Sequence, residues 1–174
     1  MGFFNFFKKN KIASNKIQNN QHSLEKETLD DAQQEFIDNS ISNAERIVRA
    51  FNDNNNGAFD YSEESLATLD ELLDNIIDFG EQMDDSMKND LIAQAGSYIF
   101  EVARRNFGGK YFWLEHLNQP ILVTGLPNFE ISIVAFDKVK MRLENGIEDN
   151  IPYFFKGYSE RVRNAKFGDK AMIV

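Results

Sequence analysis

A chain of 174 residues fits one domain, and its 42% apolar and 13% aromatic content, with 16 Phe, is enough to build a sizeable core. The lack of cysteine and the presence of only two histidines, His22 and His116, exclude a disulfide framework, thiolate catalysis, Cys-ligated metal and a three-histidine metal site. The net charge of −9 is unevenly spread: residues 1–26 carry five Lys against one Glu, residues 27–90 eighteen acids against three bases, and residues 91–174 nine acids against eleven bases.

The N-terminus, Met-Gly-Phe-Phe-Asn-Phe-Phe-Lys-Lys, places its positive charge after its apolar patch, the reverse of a secretory signal. Phe6 stands where a myristoylation signal wants Ser or Thr. Phe3, Phe4, Phe6 and Phe7 with Lys8, Lys9 and Lys11 suit a weak peripheral contact with an anionic membrane surface. Residues 8–23 are rich in Asn, Gln, Lys and Ser, so 1–23 reads as a flexible tail ahead of a single domain at 24–174. No run approaches the roughly 20 apolar residues of a membrane span, and a cytoplasmic location is expected.

A first helix is predicted over 24–51, with Ser23 as its N-cap and Phe36, Ile37, Ile41, Ala44, Ile47, Val48 and Phe51 at three-to-four spacing. The Asn-rich stretch to Gly57 ends it. A second helix is predicted from Ser62 or just after to about Gly80, its apolar stripe running from Leu66 through Leu69 and Leu73 to Ile77, with Asp70, Glu71 and Asp74 on the opposite face. The third, 86–107, carries two adjacent apolar rows, Leu91-Ala95-Tyr98-Val102 and Ile92-Gly96-Ile99-Ala103-Phe107. That width marks it as the central helix, with a neighbouring backbone expected close to Gly96, where glycine otherwise weakens the helix. Gly108 and Gly109 end it.

The pattern then changes to short runs rich in Phe, Trp, Ile and Val at 110–117, 120–124 and 129–134, punctuated by turn residues; these predict a three-stranded antiparallel meander. A short helix over 136–144 and a last one over 147–162, with Pro152 in its first turn, complete the reading. The fold class is therefore α+β: N-terminal helices packed on the three-stranded antiparallel sheet, followed by C-terminal helices.

Residues 52–63, N-D-N-N-N-G-A-F-D-Y-S-E, lay onto a calcium-binding EF-hand loop, with Asn52, Asn54, Asn56, Ala58 (through its carbonyl), Asp60 and Glu63 as ligands and Gly57 at the sharp turn. Its first three ligands are neutral amides, a weak donor set for a divalent cation. The competing reading is a helix connection in which Asp60 or Ser62 caps the next helix. Glu101, with Arg104 and Arg105 three and four residues later, reads as a helical ion pair rather than a catalytic carboxylate. His116, beside Glu115, reads as an edge residue. Gly108-Gly109-Lys110 lacks the rest of a phosphate loop.

Three stretches together resemble a family of small uncharacterised bacterial proteins: F-D-Y-S-E-E-S-L-A-T-L-D-E-L from Phe59, G-S-Y-I-F-E-V-A-R-R from Gly96 with F-G-G-K-Y-F-W after it, and V-K-M-R-L-E-N-G-I-E-D-N-I from Val139. The resemblance spans roughly residues 58–155. Phe100 departs from it, standing where that pattern has glycine. It implies a fold and no catalytic residues, and it makes 59–72 look like a structural helix entry.

An acidic body is repelled by nucleic-acid phosphate and attracts basic proteins. The first functional expectation is accordingly a non-catalytic interaction module without a cofactor, such as an immunity-type protein that masks a basic partner, with Asp70, Glu71 and Asp74 as contact residues. The alternative is weak calcium binding at 52–63, and a hydrolase centred on Glu101 near Trp113 is the least supported.

Overall fold

The computed structural model describes residues 22–52, 57–78 and 83–174. Residues 1–21, with the Phe/Lys segment expected to touch membranes, lie outside them, as do Asn54 and Asn56 of the expected loop. In chain order the elements are α1 (His22–Phe51), α2 (Ser65–Asp78), α3 (Asp85–Phe107), β1 (Lys110–Leu114), β2 (Gln119–Thr124), β3 (Glu130–Ile133), α4 (Ala135–Asn145), a 3-10 turn (Gly146–Asp149), α5 (Ile151–Asn164) and β4 (Lys170–Ile173).

The class is α+β as expected, but the sheet is larger and mixed. Strands β1, β2 and β3 form the antiparallel meander, and β4 adds to it in the order β1-β2-β3-β4, lying parallel to β3. A parallel neighbour needs a long crossover connection. Here α4, the 3-10 turn and α5 carry the chain back to the start of β3's level, so Ile131 faces Ala171 and Ile133 faces Ile173. Four residues at the far side of a helix present too short an alternation to announce a strand.

Boundaries moved for local reasons. Helix α1 begins at His22, so the expected cap Ser23 lies within it. Helix α2 begins at Ser65, just after Ser62, which is spent as its cap: the Ser65 N–H donates to Ser62 Oγ at 3.1 Å, and Asp60 Oδ1 accepts the Ser62 N–H at 2.9 Å. Helix α5 begins at Ile151 rather than at 147, because the Asn150 side chain accepts the Tyr153 N–H and Pro152 fixes the first turn.

Helix α3 occupies the centre, as its two rows require. Ala95, Tyr98, Ile99, Val102 and Ala103 are fully buried, whereas Leu91, near the helix start, is half-buried. The sheet turns Tyr111, Leu122, Ile131 and Ile133 into the same core. Phe100 fills its position productively, its ring meeting Tyr111 edge-on at 5.5 Å and Phe136 at 5.5 Å.

At Gly96 the close neighbour is a side chain, not the expected backbone. A Cβ built there would stand 2.2 Å from Cδ1 of Phe136, whose ring is itself buried. Alanine in a helix ordinarily gains about 1 kcal/mol over glycine. Gly96→Ala should instead destabilise the protein by about 1–3 kcal/mol, the range for overpacking. Urea denaturation checks this, and a variant as stable as the parent would show that Phe136 yields freely.

Candidate functional site

The residues expected to face a partner divide on either side of the molecular surface. Asp70 is buried, which corrects its expected outward placement. The cause is visible in the spacing: it lies four residues after Leu66 and three before Leu73, on the stripe that α2 turns to the core. Opposite it stands Arg142 of α4, fully buried. Arg142 Nε donates to Asp70 Oδ1 at 2.9 Å and its Nη2 to Asp70 Oδ2 at 3.2 Å and Asp74 Oδ1 at 2.8 Å. Asp70 also accepts the Ile151 N–H at 2.9 Å and Asn150 Nδ2 at 3.1 Å. Burial opposes the Arg142 charge, yet its bonds to the two aspartates outweigh burial and hold the guanidinium above its usual pKa. Arg142 is one residue that sequence reasoning missed; the available signal was its position three residues after Val139 and seven after Ala135, on the buried stripe of α4.

Glu71 and Asp74 are exposed as expected, although Asp74 also serves the guanidinium. Beside them lies a surface the sequence did not single out. Tyr153 is 80% exposed and Ile147 66% exposed. Both are held through Asn150, which accepts the Tyr153 N–H at 2.9 Å and donates its own N–H to the Ile147 carbonyl at 3.2 Å. Since Asn150 also donates to Asp70, these apolar groups and the carboxylates of α2 share one support. Nearby, Lys138 Nζ reaches Asp149 Oδ1 at 2.6 Å, and that bond holds the Asp149 carboxyl below its ordinary pKa.

Glu101 has no exposed surface, so it is more than the ordinary helical ion pair expected. Arg104 grips it with two bonds of 2.9 and 2.8 Å, and Arg105 Nε adds a third at 3.1 Å. Arg105 in turn lies 3.5 Å over the Tyr61 ring, which stacks on Tyr98. Among the described residues every side-chain bond of this carboxylate is directed to a guanidinium, the arrangement of a structural anchor. His116 lies exposed in the turn between β1 and β2.

Three of the described ligands of the expected calcium loop already have other uses. Asn52 Oδ1 accepts the Phe59 N–H at 3.0 Å, Asp60 Oδ1 accepts the Ser62 N–H, and Glu63 pairs with Arg163 of α5. Ala58 is half-buried. No group of three or more metal-ligating His, Asp or Glu occurs among the described residues. No described helix is long and apolar enough to cross a membrane. Comparison with known proteins finds no matching family model, no matching curated protein and no matching solved structure.

Two outcomes follow from these bonds. Asp70→Ala leaves Arg142 charged and buried and should cost about 3–5 kcal/mol, whereas Asp70→Leu combined with Arg142→Met should recover part of that loss, the Ile151 N–H still lacking its acceptor. The two denaturation midpoints decide the matter; a loss under about 1 kcal/mol for the single variant would mean that the pair does not organise the helices. Calcium titration calorimetry should detect no binding tighter than about millimolar. A micromolar affinity abolished by Glu63→Gln would reverse this.

Proposed function

We propose that this chain is a non-catalytic, cytoplasmic interaction protein that binds a basic protein partner, in the manner of an immunity protein covering a cationic surface. The observation that carries the reading is the exposed pair Tyr153 and Ile147 on elements pinned by Asn150 and Asp70, with the carboxylates of Glu71, Asp74 and Glu148 exposed on the adjoining elements. Binding energy concentrates in a few aromatic anchors on rigid supports, and surrounding charges set the choice of partner and the rate of encounter. Glu71 and Asp74 keep their expected contact roles. Asp70 supports them from beneath. Further carboxylates at Asp31, Glu35 and Asp38 are exposed on α1 and extend the acidic surface that steers a cationic partner.

Affinity capture from the native host, with wild type and with Tyr153→Ala plus Glu71→Lys, tests the proposal. Both substitutions lie on exposed side chains outside the Asp70–Arg142 pair, so the circular-dichroism spectrum should not change. The wild type should retain a protein with a basic face, the variant should not, and association should slow as salt screens charges beyond about 8 Å. Equal capture by both forms would remove this surface from the binding site.

A further inference from the structure

A cleft of about 390 Å³ opens between the first turns of α3 and α4 and the turn joining β1 to β2. Its volume lies within the range of small-molecule sites, and it does not include Tyr153 or Ile147. Charge in it is balanced. Asp85 and Asp137 face the same space as Lys88 and Lys140. Of these, Lys88 reaches Glu144 at 3.4 Å, while Asp85, Asp137 and Lys140 form no ion pair among the described residues. The apolar part of the lining is Ile92, Leu117 and Phe136, of which Ile92 and Phe136 are buried side chains and Leu117 is half-buried.

Gln119 adds a built polar group. It is 2% exposed, and its Oε1 accepts the Asp137 N–H at 3.2 Å, which fixes which end of the carboxamide is which. The other end, Nε2, is buried and has no hydrogen-bond partner. A buried amide donor left unmade is uncommon and calls for an acceptor. The same lining includes Phe136 and Asp137 of the first turn of α4, whose N-cap residue Val134 supplies no side-chain cap, so the Gln119 carbonyl is the side-chain acceptor at that positive helix start.

We propose that this cleft binds a small zwitterion of the α-amino-acid class with an apolar side chain. A lone anion would meet Asp85 and Asp137, and a lone cation would meet Lys88 and Lys140; a molecule bearing both charges matches the lining. Its carboxylate is taken by Gln119 Nε2 and Lys140 near the α4 start. Its ammonium is taken by Asp85 and Asp137. Its side chain lies on Ile92 and Phe136. The Gln119 nitrogen is buried although its residue lines the cleft, so reaching it takes a side-chain adjustment of the kind that accompanies many binding events. The inference is independent of partner binding.

Titration calorimetry on the full chain tests it with four probes: leucine, phenylalanine, 4-methylpentanoate, which is leucine without its ammonium, and isopentylamine, which lacks the carboxylate. Leucine or phenylalanine should bind with a millimolar or tighter dissociation constant, and both truncated probes at least about tenfold more weakly. Lys140→Ala, an exposed and unpaired position, should weaken binding several-fold with an unchanged circular-dichroism spectrum, and Gln119→Leu should abolish it. Silence from both amino acids at about 10 mM would overturn the proposal. So would equal binding of 4-methylpentanoate, which would make the cleft an anion site, or an affinity indifferent to Lys140→Ala.

Discussion

A guanidinium removed from water must find its counter-charge and its hydrogen bonds within the protein, because breaking such a buried pair costs several kcal/mol. Arg142 imposes that condition on half of the fold. Its partner Asp70 takes Nε and Nη2 from α4, a backbone N–H from the first residue of α5 and the Asn150 amide that caps α5. A carboxylate offers about four lone-pair positions, and these four donors use them. Helices α2, α4 and α5 therefore meet at one point, which fixes where the 3-10 turn ends and where α5 starts. The direction of α5 then returns the chain to the sheet edge where β4 forms.

A second pattern ties the remaining elements. Each of three buried tyrosines reaches a hydroxyl on a different element: Tyr98 of α3 donates to Ser65 of α2 at 2.7 Å, and Tyr111 of β1 to Ser40 of α1 at 2.8 Å. The third, Tyr158 of α5, lies 2.7 Å from Thr124 of β2. Thr124 spends its own proton on the Gly108 carbonyl, so Tyr158 is the donor there. Burial pushes the Tyr158 hydroxyl up to about 12 and raises those of Tyr98 and Tyr111 as well, so all three stay neutral donors. Apolar rings fill the core while their polar tips join elements distant in sequence.

These ties explain what the sequence disclosed. Periodicity identified the helices and the meander because burial of a face repeats every few residues, as along Ala95, Tyr98, Ile99 and Val102. Asp70 was within reach of the same logic through its spacing from Leu66 and Leu73, but charge alone suggested an outward face. Its partner lies 72 positions away, beyond any local pattern. Gln119 and Tyr153 are similar cases: nothing around them in sequence separates an orphaned amide or an exposed ring from ordinary residues. Strand β4 depends on a neighbour brought by α5, and four residues carry too little alternation to stand without it. At 52–63 the described groups whose spacing suggested oxygen ligands, Asn52, Asp60 and Glu63, are bonded to the Phe59 N–H, the Ser62 N–H and Arg163.

The two edges of the sheet are unlike. At β1, the Gln33 side chain of α1 stands in for a missing strand: its Nε2 donates to the Tyr111 carbonyl at 2.5 Å and its Oε1 accepts the Tyr111 N–H at 2.8 Å. At the opposite edge β4 has no strand beyond it among the described residues. Unlimited stacking of molecules through their sheets requires two usable edges per copy, one to accept and one to offer. With Tyr111 on one edge already bonded to its own glutamine, that edge is a poorer template than the one at β4, and two copies joined through β4 present only such hindered ends to a third.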